Sequence, residues 1–271
     1  MTPAITKFVW MPKFVLIIFL FLLSYNLKAQ TWEFGGGVGA AGYMGDLNIN
    51  DPVKPSGPSF GLFAKYNFDG YLGLRINYSF GIIAAADSNS SNPQFRQRNL
   101  SFTTTLNEVS VLAEFNFMRY IPSVTTTKYT PYLYLGAALV NYNPTTVFNG
   151  QKYDLRPLET EGEKKPYPTT AIAIPYGAGF KYNVSSSVTL GVEIGYRNPN
   201  TDYLDDVSGN YVFAGHNTLQ EQLSDRSGEK TGVYIGSPGT QRGDGSSRDT
   251  YFFTQFTISY TFISKKCYFS N

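Results

Sequence analysis

The sequence predicts an all-β protein, an eight-stranded antiparallel transmembrane β-barrel of the outer-membrane type with long outer loops. Three observations carry the prediction. First, eight segments alternate apolar and polar residues over about 11 to 13 positions. That exceeds the usual 5–6 residues of a soluble strand and suffices for a tilted strand to cross a bilayer, which takes ~9–11. Second, the connections between segments are long and short by turns, as in barrels with outer loops and periplasmic turns. Third, the polar face of the segments is crowded with Gly, Ala, Ser and Thr and poor in charge. A water-facing surface is normally about a quarter to a third charged.

In chain order the segments are Trp32–Met44, Pro58–Phe68, Leu72–Ile83, Asn107–Phe117, Pro131–Tyr142, Thr170–Tyr182, Ser187–Arg197 and Tyr251–Phe262. The third, "LGLRINYSFGII", shows the pattern most cleanly: Leu72, Leu74, Ile76, Tyr78 and Phe80 share one face, and Gly73, Arg75, Asn77 and Ser79 the other. After segments 1, 3, 5 and 7 the connections run to about 13, 23, 27 and 53 residues, whereas after 2 and 6 they are about three or four. The 118–130 connection is intermediate. The long loops are polar and rich in Gly, Asn, Ser and Pro, which predicts mobile tips. Aromatic residues gather toward the short-turn edge: Trp32, Phe34, Tyr66, Phe68, Tyr71, Phe117, Tyr120, Tyr132, Tyr182, Tyr260 and Phe262. They predict an interfacial girdle at one membrane boundary.

Residues 1–29 read as a signal peptide and 30–271 as the barrel domain. Lys7 and Lys13 precede the apolar run Phe14–Leu23, and small Ala29 offers a cleavage position. The apolar run is too short for a spanning helix, which needs about 20 residues. Removing that segment takes three lysines and no acid, moving the formal charge from +2 to −1. No basic surplus remains to argue for nucleic acid. A single cysteine, Cys267, excludes an intramolecular disulfide and a cysteine zinc cluster, and a single histidine, His216, excludes multi-histidine metal sites.

If the apolar face meets lipid, the opposite face lines a lumen. Eight charged residues fall on it: Glu33, Lys65, Arg75, Glu108, Glu114, Lys181, Glu193 and Arg197. An eight-stranded barrel has room inside only for side chains, and an isolated charge there costs several kcal/mol. Four acids and four bases therefore predict a plug of internal ion pairs, with Arg75 held by one of Glu33, Glu108, Glu114 or Glu193. The competing readings are a soluble barrel with its apolar face inward and an ion or proton path through the bore.

Other features carry little chemistry. His216 lies in the last long loop with no serine assignable beside it, so the chain reads as non-enzymatic, without cofactor or resident metal. Asp202, Asp205 and Asp206 in "TDYLDDVS" are oxygen ligands of the kind calcium takes. The alternative is that they cap a short helix through Thr201 or Asp202. The run "GGGVGAAG" lacks a following helix, which removes a phosphate loop; its glycines instead thin the first strand toward a crowded lumen.

"GYMGDL" (42–47), "TPYLYLGAAL" (130–139), "YRNPNTDYLDDVSGNY" (196–211) and "RGDGSSRDTYFFTQFTISYTF" (242–262) resemble the PorG-like outer-membrane proteins of the type IX secretion system. "TDYLDDVS" is the most specific of these stretches, and "RNPN" ahead of it departs from the pattern. The resemblance implies a non-enzymatic, porin-like component of a protein-secretion machine in the outer membrane. Its partners would be outer-membrane lipid and the periplasmic ring proteins of that system, reached through the short turns, the 118–130 segment and the C-terminal tail. It also implies that Thr201, Asp202, Tyr203, Leu204, Asp205, Asp206 and Val207 form the family element. A free-standing surface barrel that binds a ligand or stabilises the envelope is the alternative.

Overall fold

A computed structural model describes residues 31–48, 51, 53–122 and 124–262. The signal segment, Cys267 and the rest of the tail lie outside the described residues. Among the described residues nine strands form: β1 Thr31–Met44, β2 Pro55–Asn67, β3 Leu72–Ala86, β4 Ser101–Asn116, β5 Tyr129–Phe148, β6 Gln151–Asp154, β7 Thr170–Asn183, β8 Val188–Pro199 and β9 Thr250–Phe262. Eight of them close a ring of antiparallel neighbours, β1-β2-β3-β4-β5-β7-β8-β9, with β9 returning to β1 from Trp32↔Phe262 to Met44↔Thr250. Closure leaves no sheet edge in the membrane region, where an unpaired backbone group could find no water.

The short strand β6 pairs only with the top of β5, around the turn Asn149-Gly150. Both turn residues have left-handed backbones, φ 50° and 76°, as a two-residue hairpin turn of matching twist requires. Among the described residues three short α-helices, α1 Pro93–Arg98, α2 Leu219–Ser224 and α3 Gly228–Thr231, lie in the long loops. Asn92 caps α1 by accepting from the Gln94 amide at 2.9 Å. At α2, Thr218 and Glu221 form a reciprocal capping box.

The outward face is apolar through the middle of every long strand. Ile76 is 55% exposed and Phe256 71%, whereas Arg75, next to Ile76, is 2% exposed. This removes the soluble reading: the chain is an outer-membrane-type barrel with its apolar face toward lipid. Rings pack around the short-turn end: Trp32 on Tyr66 (5.1 Å between centroids), Phe34 on Phe262 (5.7 Å), Tyr66 on Phe68 (5.2 Å) and Phe115 on Phe117 (5.4 Å). Two expected girdle members are elsewhere. Tyr132 is buried in the bore, because Leu133 and Leu135 take the outward positions of β5 and alternation turns Tyr132 inward, and Tyr120 is buried under the periplasmic mouth in the β4–β5 connection. Replacing Ile76 by Lys would place a charge near the middle of the lipid belt. The expected loss is about 2–4 kcal/mol, read as a lower urea midpoint for unfolding from lipid vesicles, with far-UV signal confirming the fold.

The strands outlast the membrane. β5 has 20 residues, and the upper parts of β1, β4, β5 and β9 rise into a loop cap. Beneath its polar tips the cap buries apolar residues that composition did not single out. Leu47, Leu100, Leu155, Tyr167, Leu204, Val207 and Leu223 of the loops are buried with Tyr43, Phe102 and Tyr251 of the strands, in one cluster that continues to Leu106, Ala138 and Phe253 inside the barrel.

Candidate functional site

Two polar regions remain once lipid and strand pairing are accounted for: the lumen, and the cap around residues 201–207. Alternation delivers all eight expected lumen residues to the bore, and all are buried. Register then decides the pairing. β1 sets Glu33 opposite Lys65, and β2 sets Lys65 opposite Arg75, two like charges side by side. That contact is unfavourable alone, so acids must reach it from across the bore.

They do. Lys65 Nζ lies 2.5 Å from Glu33 Oε2 and 3.2 Å from Glu114 Oε1. Lys181 Nζ also donates to Glu114 Oε1. Arg75 makes a two-pronged contact with Glu193 at 2.8 and 3.3 Å and has Glu114 at 3.9 Å. Higher up, Arg197 Nε donates to Glu108 Oε2 at 3.1 Å, and the Tyr251 hydroxyl donates to the same oxygen at 2.7 Å. Tyr132 donates to Glu193 at 2.5 Å and Ser259 to Glu33 at 2.6 Å. Aromatic faces line the cations: Arg75 lies over Phe63 and Tyr134 at 5.2 and 5.1 Å, Lys181 over Tyr132 at 4.0 Å and Arg197 over Phe253 at 4.5 Å. Small residues make the space. A Cβ on Gly35 would meet Phe63 Cζ at 2.5 Å, so Gly at that position leaves room for the ring of its register partner on β2.

Below, the connection between β4 and β5 folds under the mouth. The Tyr120 amide donates to the Gly70 carbonyl at 2.9 Å, its hydroxyl shares a hydrogen bond with Thr189 at 2.9 Å, and Ile121 is buried beside it. Burial pushes the Tyr120 hydroxyl up to about 12, so it stays neutral. Buried, mutually contacting side chains thus line the bore from the periplasmic end to the cap.

The cap is tied by two arginines. Arg98 grips Asp87 through Nε and Nη2, both at 2.7 Å, and donates to the carbonyls of Arg242 (2.6 Å) and Asp46 (2.9 Å). Arg242 donates to Glu161 at 2.9 Å and to the carbonyls of Asp206 (2.7 Å) and Ser224 (3.0 Å). Together they join all four outer loops. Their partners hold both guanidinium groups' pKa values above the ordinary arginine value, against the opposing effect of burial.

The segment Thr201–Val207 forms bends and no helix, so the expected helix cap is absent from it. Thr104 Oγ1 donates to the Leu204 carbonyl at 2.5 Å, and Thr201 shares a hydrogen bond with Tyr142 at 2.9 Å. These contacts seat the segment on the barrel rim. Asp206 has φ 69°, and that left-handed turn sends its carboxylate away from Asp205. Asp206 accepts from Thr160 and Tyr167, at 2.6 and 2.5 Å. Asp205 instead meets the Tyr43 hydroxyl at 2.5 Å, and Asp249 Oδ1 lies 3.0 Å from the same hydroxyl.

The three aspartates singled out in the sequence therefore do not form one group. The acidic group that does form is Asp46, Asp202 and Asp249, which offer oxygens within 4.8 Å of one another, with Asp205 joined through Tyr43. Burial and neighbouring carboxylates push Asp205 and Asp249 up, Asp46 rises to about 7, and burial takes Asp202 to about 6. Asp46 and Asp249 were missed because they stand in different loops, although each lies in a stretch quoted for the family resemblance. His216 stacks on Tyr234 at 3.5 Å between ring centroids, half-buried at the cap surface.

The fold also has solved likenesses. The chain is similar to the outer membrane protein OprG from Pseudomonas aeruginosa, at 11% identity and TM-score 0.45, over 88% of this chain and 98% of that one. Neisserial surface protein A matches at 12% identity and TM-score 0.40, over 86% and 97%. A major outer membrane protein from Thermus thermophilus matches at 13% and 0.39, over 86% and 100%. Comparison with curated proteins gives no match. The family model described as a domain of unknown function, DUF6089, matches residues 12–214, three quarters of the chain, and the protein belongs to that family.

Proposed function

We propose that this barrel is a non-enzymatic, non-conducting anchor in the outer membrane, serving the type IX secretion machinery through contacts with its periplasmic ring. One observation carries the non-conducting part: the charges of the bore are buried and paired across it, with Glu114 by itself meeting Lys65, Lys181 and Arg75. A solute path would need free volume and mobile charges there, so work is left to the outer surfaces. The secretion assignment rests on the resemblance of "TDYLDDVS" and its flanking stretches. Periplasmic contact would fall on the short turns and the exposed side of 118–130, where Met118 is solvent-facing.

The test has two readouts on the full-length protein. In planar bilayers no stable nanosiemens-scale steps are expected, and their appearance would overturn the plug. In mild detergent the tagged barrel is expected to retain the ring lipoprotein and its partner. Loss of both from a folded barrel would favour the second reading, a free-standing surface barrel. That reading has its own support in an outward groove of about 590 Å³ lined by Leu47, Phe95, Phe102, Thr103 and Thr146, within the range of small-molecule sites.

A further inference from the structure

We propose that Asp46, Asp202 and Asp249 form a calcium site that clasps the first outer loop to the two ends of the last outer loop, just ahead of β9. The three residues are far apart in sequence, all buried, and each places a carboxylate oxygen within 4.8 Å of the others. Buried carboxylates are ordinarily paired or coordinate a metal. Here Asp46 Oδ2 and Asp202 Oδ1 are buried with no hydrogen-bond partner among the described residues.

The neighbouring donors cannot make up the deficit. Asp249 accepts from the Leu204 amide at 2.9 Å, Asp202 from Ser208 Oγ at 2.8 Å and Asp46 from the Asp244 amide. Tyr43 has one hydroxyl proton to share between Asp205 and Asp249. Among the described residues, none of these four aspartates makes an ion pair, and the two buried arginines of this part of the cap are committed to Asp87 and Glu161. At Asp46, Arg98 donates to the main-chain carbonyl and not to the carboxylate.

Two glycines border the group. A Cβ on Gly45 would collide with Asp249 Oδ1, and one on Gly243 would meet Asp46 Oδ1 at 2.8 Å and the Ser208 carbonyl at 2.9 Å. The donor set is oxygen alone, without imidazole or thiolate, which selects a hard cation over zinc or copper. Calcium fits better than magnesium, because donors drawn from three separate segments tolerate irregular geometry and octahedral magnesium does not.

The test titrates calcium alone into the full-length protein in detergent by calorimetry. One ion per chain is expected, and Asp202→Asn is expected to weaken binding at least about tenfold. Asp51→Asn, an exposed acid of the first loop, is expected to bind as the parent does. No saturable binding up to about 10 mM calcium, beyond the weakest extracellular sites, would overturn the proposal. Equal affinity of the parent and Asp202→Asn would do the same. Because the variant could misfold, the parent is also digested with protease in calcium and in chelator. Faster cleavage between residues 233 and 248 in chelator is expected, and identical cleavage overturns the site. Magnesium at the same concentration is expected to leave cleavage as in chelator.

Discussion

Replacing Glu114 by Gln is expected to cost the barrel about 3–5 kcal/mol, the cost of leaving buried charge unpaired. Glu114 is the most shared acid of the bore, touching Lys65 at 3.2 Å, Arg75 at 3.9 Å and Lys181. Glutamine keeps the shape and removes the charge. The two lysines then retain only Glu33, which lies 2.5 Å from Lys65, and the like-charged neighbours Lys65 and Arg75 lose part of their screen. The measurement is urea unfolding from lipid vesicles. A control separates charge from shape: adding Lys181→Met to Glu114→Gln restores the balance of three acids and three bases and should recover much of the loss. If the double variant is no more stable than the single, the lumen is held by packing and hydrogen bonds, and the ion-pair account fails. Exposed pairs set the scale. Lys54 and Asp51, 3.6 Å apart and more than half exposed, are expected to contribute roughly 0–1 kcal/mol.

The bore was legible in the sequence because two facts fix it. Strand alternation has a period of two, and a barrel has only two faces, so an apolar residue at Ile76 commits Arg75 to the inside. Which acid Arg75 meets was not legible. Glu193 is brought to it across the bore, by a relation among eight strands that no single strand records. The same limit explains Tyr132. Its aromatic character suggested a girdle, whereas its parity with Leu133 and Leu135 puts it inside, and parity prevails because each backbone position has only one direction. The β5–β6 hairpin did have a local signal in Asn149-Gly150. The cap had almost none: its polar, glycine-rich loops fold because Arg98 and Arg242 satisfy carbonyls and acids from different loops at once. Long-range satisfaction of that kind leaves no periodicity behind. Asp46, Asp202 and Asp249 come together for the same reason, each in a different phrase of the chain.

Truncating Arg98 to Ala is expected to open the cap while leaving the membrane barrel folded. The guanidinium holds Asp87, which is fully buried, through two 2.7 Å contacts, and it closes the carbonyls of Arg242 and Asp46. Its removal strands a buried carboxylate whose remaining hydrogen bonds include the Leu100 amide at 2.9 Å, together with two carbonyls. Breaking one side of a buried pair costs about 3–5 kcal/mol. The loops can open without breaking the strand pairing that closes the ring, so the loss is expected to fall on local stability. Protease cleavage of the outer loops should accelerate by roughly a hundredfold or more if opening equilibrates faster than cutting. Barrel mobility on unheated gels should not change. Arg98→Lys should rescue little, because an ammonium keeps the charge but cannot reach Asp87 and two carbonyls in one plane. Arg98→Met combined with Asp87→Asn removes both charges and should restore part of the protection. Equal protection in the parent and in Arg98→Ala would show that Arg242 and the apolar core hold the four loops without the Arg98 clasp.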